Sequence, residues 1–128
     1  MPWTRILSAS AVVVSLAGPV GAETGPLTGD GLRAAVAGQT VVIETTVGSF
    51  PVAFRNDGTM TGRAPRIAAT VGMDRDQGTW WVAKDRLCQR WRNWLSGKQS
   101  CFTLRQDGRT VYWRRDDGRS GTATIASK

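Results

Sequence analysis

Along much of the chain, apolar positions recur every second residue. In SFPVAF (49–54) Phe50, Val52 and Phe54 alternate with other residues. In TWWVAKD (79–85) Trp80 and Val82 share one face while Trp81 takes the other. Val111 and Trp113 share a face of RTVYWRR (109–115). A period of two is the signature of a strand with one face buried. TVVIETTV (40–47), RLCQRW (86–91), SCFTLR (100–105) and SGTATIA (120–126) carry the β-branched and aromatic content of further strands. Asp57-Gly58, Asp107-Gly108 and Asp117-Gly118 supply tight turns, because glycine accepts the positive φ that such hairpins need. The pattern weakens in RAPRIAATVGMDRDQG (63–78), which reads as one irregular strand near Ile67 to Val71 and a polar turn over Asp74 to Gly78. One stretch has helical spacing: in LTGDGLRAAVAG (27–38) Thr28 or Asp30 can cap, Leu32, Ala35 and Val36 form a stripe, and Gly38 stops the helix.

One short N-terminal helix followed by seven or eight strands at roughly ten-residue spacing predicts a mainly β protein. The expected form is a small antiparallel meander, closed into a barrel or left as a half-barrel. A flattened sandwich is the alternative.

The N-terminus changes the picture of where this domain works. MPWTRILSASAVVVSLAGPVGAETG has one cation, Arg5, an apolar run from Ile6 to Ala17, and Gly21-Ala22 before Glu23. That is the layout of a secretory signal peptide over 1–22, leaving 23–128 as a single mature domain. Its apolar run is too short to span a bilayer as a helix, so no transmembrane segment is expected after cleavage. The expected location is the periplasm or the exterior. In an oxidising compartment Cys88 and Cys101, the two cysteines of the chain, are expected to pair. The chain has a formal charge of +7, and loss of Arg5 with the leader leaves about +6, which favours anionic partners.

LTGDGLRAAVAGQTV, FRNDGTMTGR, DQGTWWVAKDRLCQRW and SCFTLRQDG, in that order, resemble a set of small exported bacterial proteins. In these a helix ending in Gly precedes a D-G-T-x-x-G turn, a G-x-W-x-V strand and a pair of cysteines. The resemblance covers most of the mature chain and implies a lipocalin-like or half-barrel domain. It transfers no activity. In architecture alone, the chain is also similar to small periplasmic inhibitors of proteases and of lysozyme, which are single-disulfide barrels of about this length.

The residue inventory excludes several chemistries. With no histidine in the chain, Ser-His-Asp and Cys-His catalysis and histidine-based zinc or haem sites are ruled out. GMDRDQG offers two carboxylates, Asp74 and Asp76, but with Arg75 between them they read as a solvated turn, not a glycosidase pair. A calcium loop would lack its closing Glu. No nucleotide-binding glycine loop is present. The protein is therefore expected to be non-enzymatic, with neither cofactor nor metal.

What stands out is the loop LCQRWRNWLSGKQSCF (87–102), where Arg90, Arg92 and Lys98 are interleaved with Trp91 and Trp94 between the cysteines. Arg and Trp are the residues most enriched at binding hot spots. The reading is an apolar tip of Trp94 and Leu95, ringed by Arg92 and Lys98, that together with Arg90 engages an acidic protein or an anionic envelope component. Two alternatives stand beside it: a lipocalin-like carrier of a small apolar ligand, and an inhibitor of a periplasmic or host hydrolase. Against the carrier, five tryptophans in the mature domain are expected to fill a narrow barrel. Nucleic acid suits a basic aromatic surface, but the export signal disfavours it.

Overall fold

The computed structural model describes residues 25–65 and 73–126. The leader expected at 1–22 and the strand expected near Ile67 to Val71 lie outside the described residues. Helix α1 (Gly29–Val36) is followed by β1 (Thr40–Thr45), β2 (Gly48–Phe54), β3 (Thr59–Arg63), β4 (Arg75–Ala83), β5 (Arg86–Trp91), β6 (Gln99–Asp107), β7 (Thr110–Arg115) and β8 (Ser120–Ile125). Every strand pairs antiparallel with its sequence neighbour, and β1 pairs with β8, so the sheet closes into a barrel. Closure removes both sheet edges, which the half-barrel and the sandwich would have left to be covered.

Register sorts the side chains into an inner and an outer set. Val41 faces Val52 and Ile125, Ile43 faces Phe50 and Ala123, Leu104 faces Trp113, and Leu87 faces Phe102. These residues point inward, as the period-two pattern predicts. Cys88 and Cys101 lie opposite each other on the outer face of the β5–β6 ladder and form the expected disulfide, with Cα atoms 4.0 Å apart. Trp81 stands beside Cys88 on that outer face.

Helix α1 closes one end of the barrel, burying Leu32 and Val36. Its cap differs from the expectation. Neither Thr28 nor Asp30 supplies it; the Gly29 N–H donates to Asp85 Oδ1 at 2.8 Å, from the turn between β4 and β5. A carboxylate at a helix N-terminus meets unpaired N–H groups and the positive end of the helix dipole, so this bond fastens the plug to the barrel. Leu27 N–H donates to the Leu104 carbonyl at 2.7 Å, tying the approach to the helix to β6. Trp80 packs edge-on to Phe54, donates its indole N–H to the Arg55 carbonyl at 2.9 Å, and has the Arg33 guanidinium 5.4 Å over its ring.

A second correction concerns Asp74 to Gly78. Instead of a polar turn, Arg75–Gly78 form the first half of β4, with Gly62 opposite Asp76 and Met60 opposite Gly78. Asp76 is buried, with 8% of its surface exposed. Asp76, one of the charges that suggested a turn, falls instead in step with the inward-facing Gly78 and Trp80, while Arg75 and Gln77 face outward. Gly78 is required by a close approach: a Cβ there would collide with the Arg90 carbonyl.

Candidate functional site

The end of the barrel opposite α1 is organised by Asp76. Its Oδ2 accepts the backbone N–H groups of Asn93 and Trp94, both at 2.8 Å, and its Oδ1 accepts the Asn93 side-chain amide at 3.2 Å. Burial works to raise the pKa of this carboxyl, but the backbone donors of Trp94, Asn93 and Gln77 outweigh it. The group is held below the ordinary carboxylate range. This anchor turns the β5–β6 loop back over the barrel. Leu95 and Ser96 follow in left-handed backbone at φ 55° and 56°, and Gly97 at 65°.

The loop therefore does not carry an exposed tryptophan. Trp94, expected at the tip, is 4% exposed. It packs 4.7 Å from Trp91 and 6.0 Å from Phe50, and donates its indole N–H to the Met73 carbonyl at 3.1 Å. Gly62 makes the space: a Cβ there would fall 2.6 Å from the Trp94 ring and 2.8 Å from the Trp91 ring. Of the expected site residues, Leu95 is exposed at 44%, and Arg90, Arg92 and Lys98 are exposed. Trp94 is separated from them and faces the interior.

That interior is not filled. A cavity of about 300 Å³ runs from Val36 at the helical plug to Leu95 and Arg119 at the far end. Its wall combines aliphatic Val41, Ile43, Val52, Val111 and Ala123 with aromatic Phe50, Trp91, Trp94, Phe102 and Trp113. The tryptophans leave room because they lie against the wall. Trp91 and Trp94 pack over Gly62, and Trp113 lies flat on Gly121, where a Cβ would sit 2.6 Å from its ring. Trp80 packs toward the α1 end, and Trp81 is outside. The expectation that tryptophan would fill the barrel fails for this reason. An eight-stranded barrel is just wide enough either to be packed by side chains or to hold one small ligand.

Polar groups on this wall are few. Gln89 lies midway, opposite Trp80 and Ser100. Arg115 and Thr45 stand toward the far end, with Arg119 beside them. Arg115 donates to Asp117 Oδ2 at 2.5 Å, and the Arg119 backbone N–H donates to Asp117 Oδ1 at 3.0 Å. These bonds, led by that from Arg115, lower the Asp117 pKa to about 2. Asp117 is therefore ionised and paired with Arg115 at neutral pH. From the sequence a ligand cavity stands only as an alternative, because most of its lining residues read as ordinary core. The signal that was available is small side chains, Gly121 and Ala123 in β8, facing a strand that carries Trp113.

Among the described residues no group of histidine, cysteine and carboxylate side chains converges as a metal site, and no helix is long and apolar enough to cross a membrane. Comparison with protein-family models, with curated proteins and with solved structures returned no match.

Proposed function

We propose that this protein is a binding protein for a small, largely apolar molecule held inside the barrel. The observation that carries the proposal is the apolar cavity of about 300 Å³ in a domain whose strands and plug leave no comparable gap by necessity. Interior space this large is uncommon, since a well-packed interior has few gaps bigger than a water molecule. At about 30 Å³ per water-sized unit, the space suits a ligand of roughly ten non-hydrogen atoms. It lies at the lower edge of the range typical of ligand sites. Aromatic and aliphatic walls supply the affinity, and the polar groups near Arg115 and Thr45 favour a ligand with one polar end. Under the same proposal, the leader expected at 1–22 makes this an exported carrier.

The test is quenching of tryptophan fluorescence by a medium-chain bromoalkanol, since Trp91, Trp94 and Trp113 line the cavity. Saturable quenching that a bromine-free alkanol of the same length reverses supports the proposal. Quenching that only grows in proportion to concentration, as by collision at the surface, refutes it.

A further inference from the structure

The outer wall carries a second, shallower concavity of about 480 Å³ on the far side of the sheet from the cavity. Arg55, Arg90 and Arg92 line it, and among the described residues no carboxylate does. Register places polar side chains together along it: Thr59, Thr79 and Arg90 stand side by side on β3, β4 and β5, and Thr61 stands beside Gln77, with Met60 and Trp91 also in the lining. The backbone bearing each arginine is fixed. Arg55 N–H donates to the Thr59 carbonyl at 2.9 Å, Arg92 N–H donates to the Gln77 carbonyl at 2.8 Å, and Arg90 lies two residues along β5 from the disulfide-bonded Cys88.

Three guanidinium groups around one groove repel one another unless an anion joins them; the Asp57 carboxylate lies close enough to feel the charge of Arg55 but forms no ion pair with it. Asp57 Oδ1 accepts both the backbone N–H and the hydroxyl of Thr59, and Asp76 faces inward onto Asn93 and Trp94. Among the described residues the ion pairs are confined to Asp117 with Arg115 and Arg119. Arg55, Arg90 and Arg92 are all exposed and free of ion pairs there. Guanidinium forks match the oxygens of phosphate and carboxylate, but three of them plus the Thr61, Thr79 and Gln77 donors exceed what one carboxylate can accept. A phosphate group offers three strong acceptor oxygens, and the groove has room for roughly sixteen atoms of ligand.

We infer that this groove is a binding site for a phosphate-bearing ligand, with Arg55, Arg90 and Arg92 sharing its oxygens. The groove and the barrel cavity share Trp91 alone among their lining residues.

The probes are inorganic pyrophosphate and vesicles containing phosphatidylglycerol, each at physiological salt, with neutral phosphatidylcholine vesicles as control. Pyrophosphate should shift the side-chain N–H signals of Arg55, Arg90 and Arg92 saturably and leave that of Arg86 in place. Arg90→Gln and Arg55→Gln should each weaken binding roughly tenfold, as expected for loss of a charge-assisted hydrogen bond. Arg86→Gln should leave it unchanged. Sedimentation with the acidic vesicles, lost in Arg90→Gln and competed by pyrophosphate, supports the site with a lipid headgroup as its source. Pyrophosphate binding without sedimentation supports it with a free phosphate compound as its source. Three outcomes overturn it: no binding of either probe, shifts spread over all arginines alike, or vesicle binding undiminished in the variants. None of these outcomes bears on alkanol quenching, so the two sites stand or fall separately.

Discussion

Ala123→Leu separates a hollow barrel from a packed one. Ala123 is 1% exposed, lines the cavity, and sits between Val111 of β7 and Ile43 of β1. In a filled interior, three extra carbons at such a position force neighbouring side chains off their rotamers and cost about 1–3 kcal/mol. Here they enter a space of about 300 Å³. Each newly buried carbon contributes about 0.8 kcal/mol, so the gain is about 2.4 kcal/mol. Ordering the leucine side chain offsets about 0.5–1 kcal/mol of that. The variant is therefore expected to be about 1.5–2 kcal/mol more stable, with a melting temperature higher by roughly 10 °C for a domain of this size. Urea unfolding followed by tryptophan fluorescence measures it, with an unchanged m-value showing that the effect lies in the folded state. A destabilised variant refutes the cavity.

Three further outcomes follow from the same contacts. Asp76→Asn removes one acceptor oxygen from buried N–H donors and should cost about 1–3 kcal/mol in urea unfolding. Because the folded pKa of Asp76 is lowered, the unfolded chain binds the proton more readily: the stability Asp76 confers is complete above the ordinary carboxylate value and is lost as pH falls through the lowered one. Wild-type stability should thus fall below about pH 4, and the Asn variant should show a shallower fall in a pH series of unfolding midpoints. Reducing the Cys88–Cys101 bridge, which closes a separation of 13 residues, should lower stability by about 3 kcal/mol, read from unfolding with and without reductant. Gly62→Ala drives a methyl into Trp94 and Trp91 and should cost about 1–3 kcal/mol, with altered near-ultraviolet circular dichroism reporting the displaced indoles.

Much of the barrel was legible because its strands obey a two-residue period and its hairpins are marked by Asp-Gly. Gly58, Gly108 and Gly118 all take the positive φ those turns require. The α1 stripe was legible as well, although its cap was not. Asp85 lies 56 residues from Gly29, and nothing local reveals such a partner. The same distance in sequence hid the loop. Trp94 read as a tip because its neighbours show no periodicity, and the carboxylate that folds it inward is 18 residues upstream in a stretch that looked like a charged turn. The cavity was the least legible feature. Its existence depends on how glycines at 62 and 121 seat indoles against the wall, which is a matter of register across strands. Arg55 joined Arg90 and Arg92 only once β3, β4 and β5 were aligned.

Calorimetric titration of a medium-chain alkanol into the native protein and into Ala123→Leu tests the interior site most directly. One saturable site per chain with a negative heat-capacity change is expected in the native protein, and affinity weakened roughly tenfold or more in the variant, whose added carbons occupy the ligand's space. Absence of saturable binding, or equal affinity in both proteins, would contradict it.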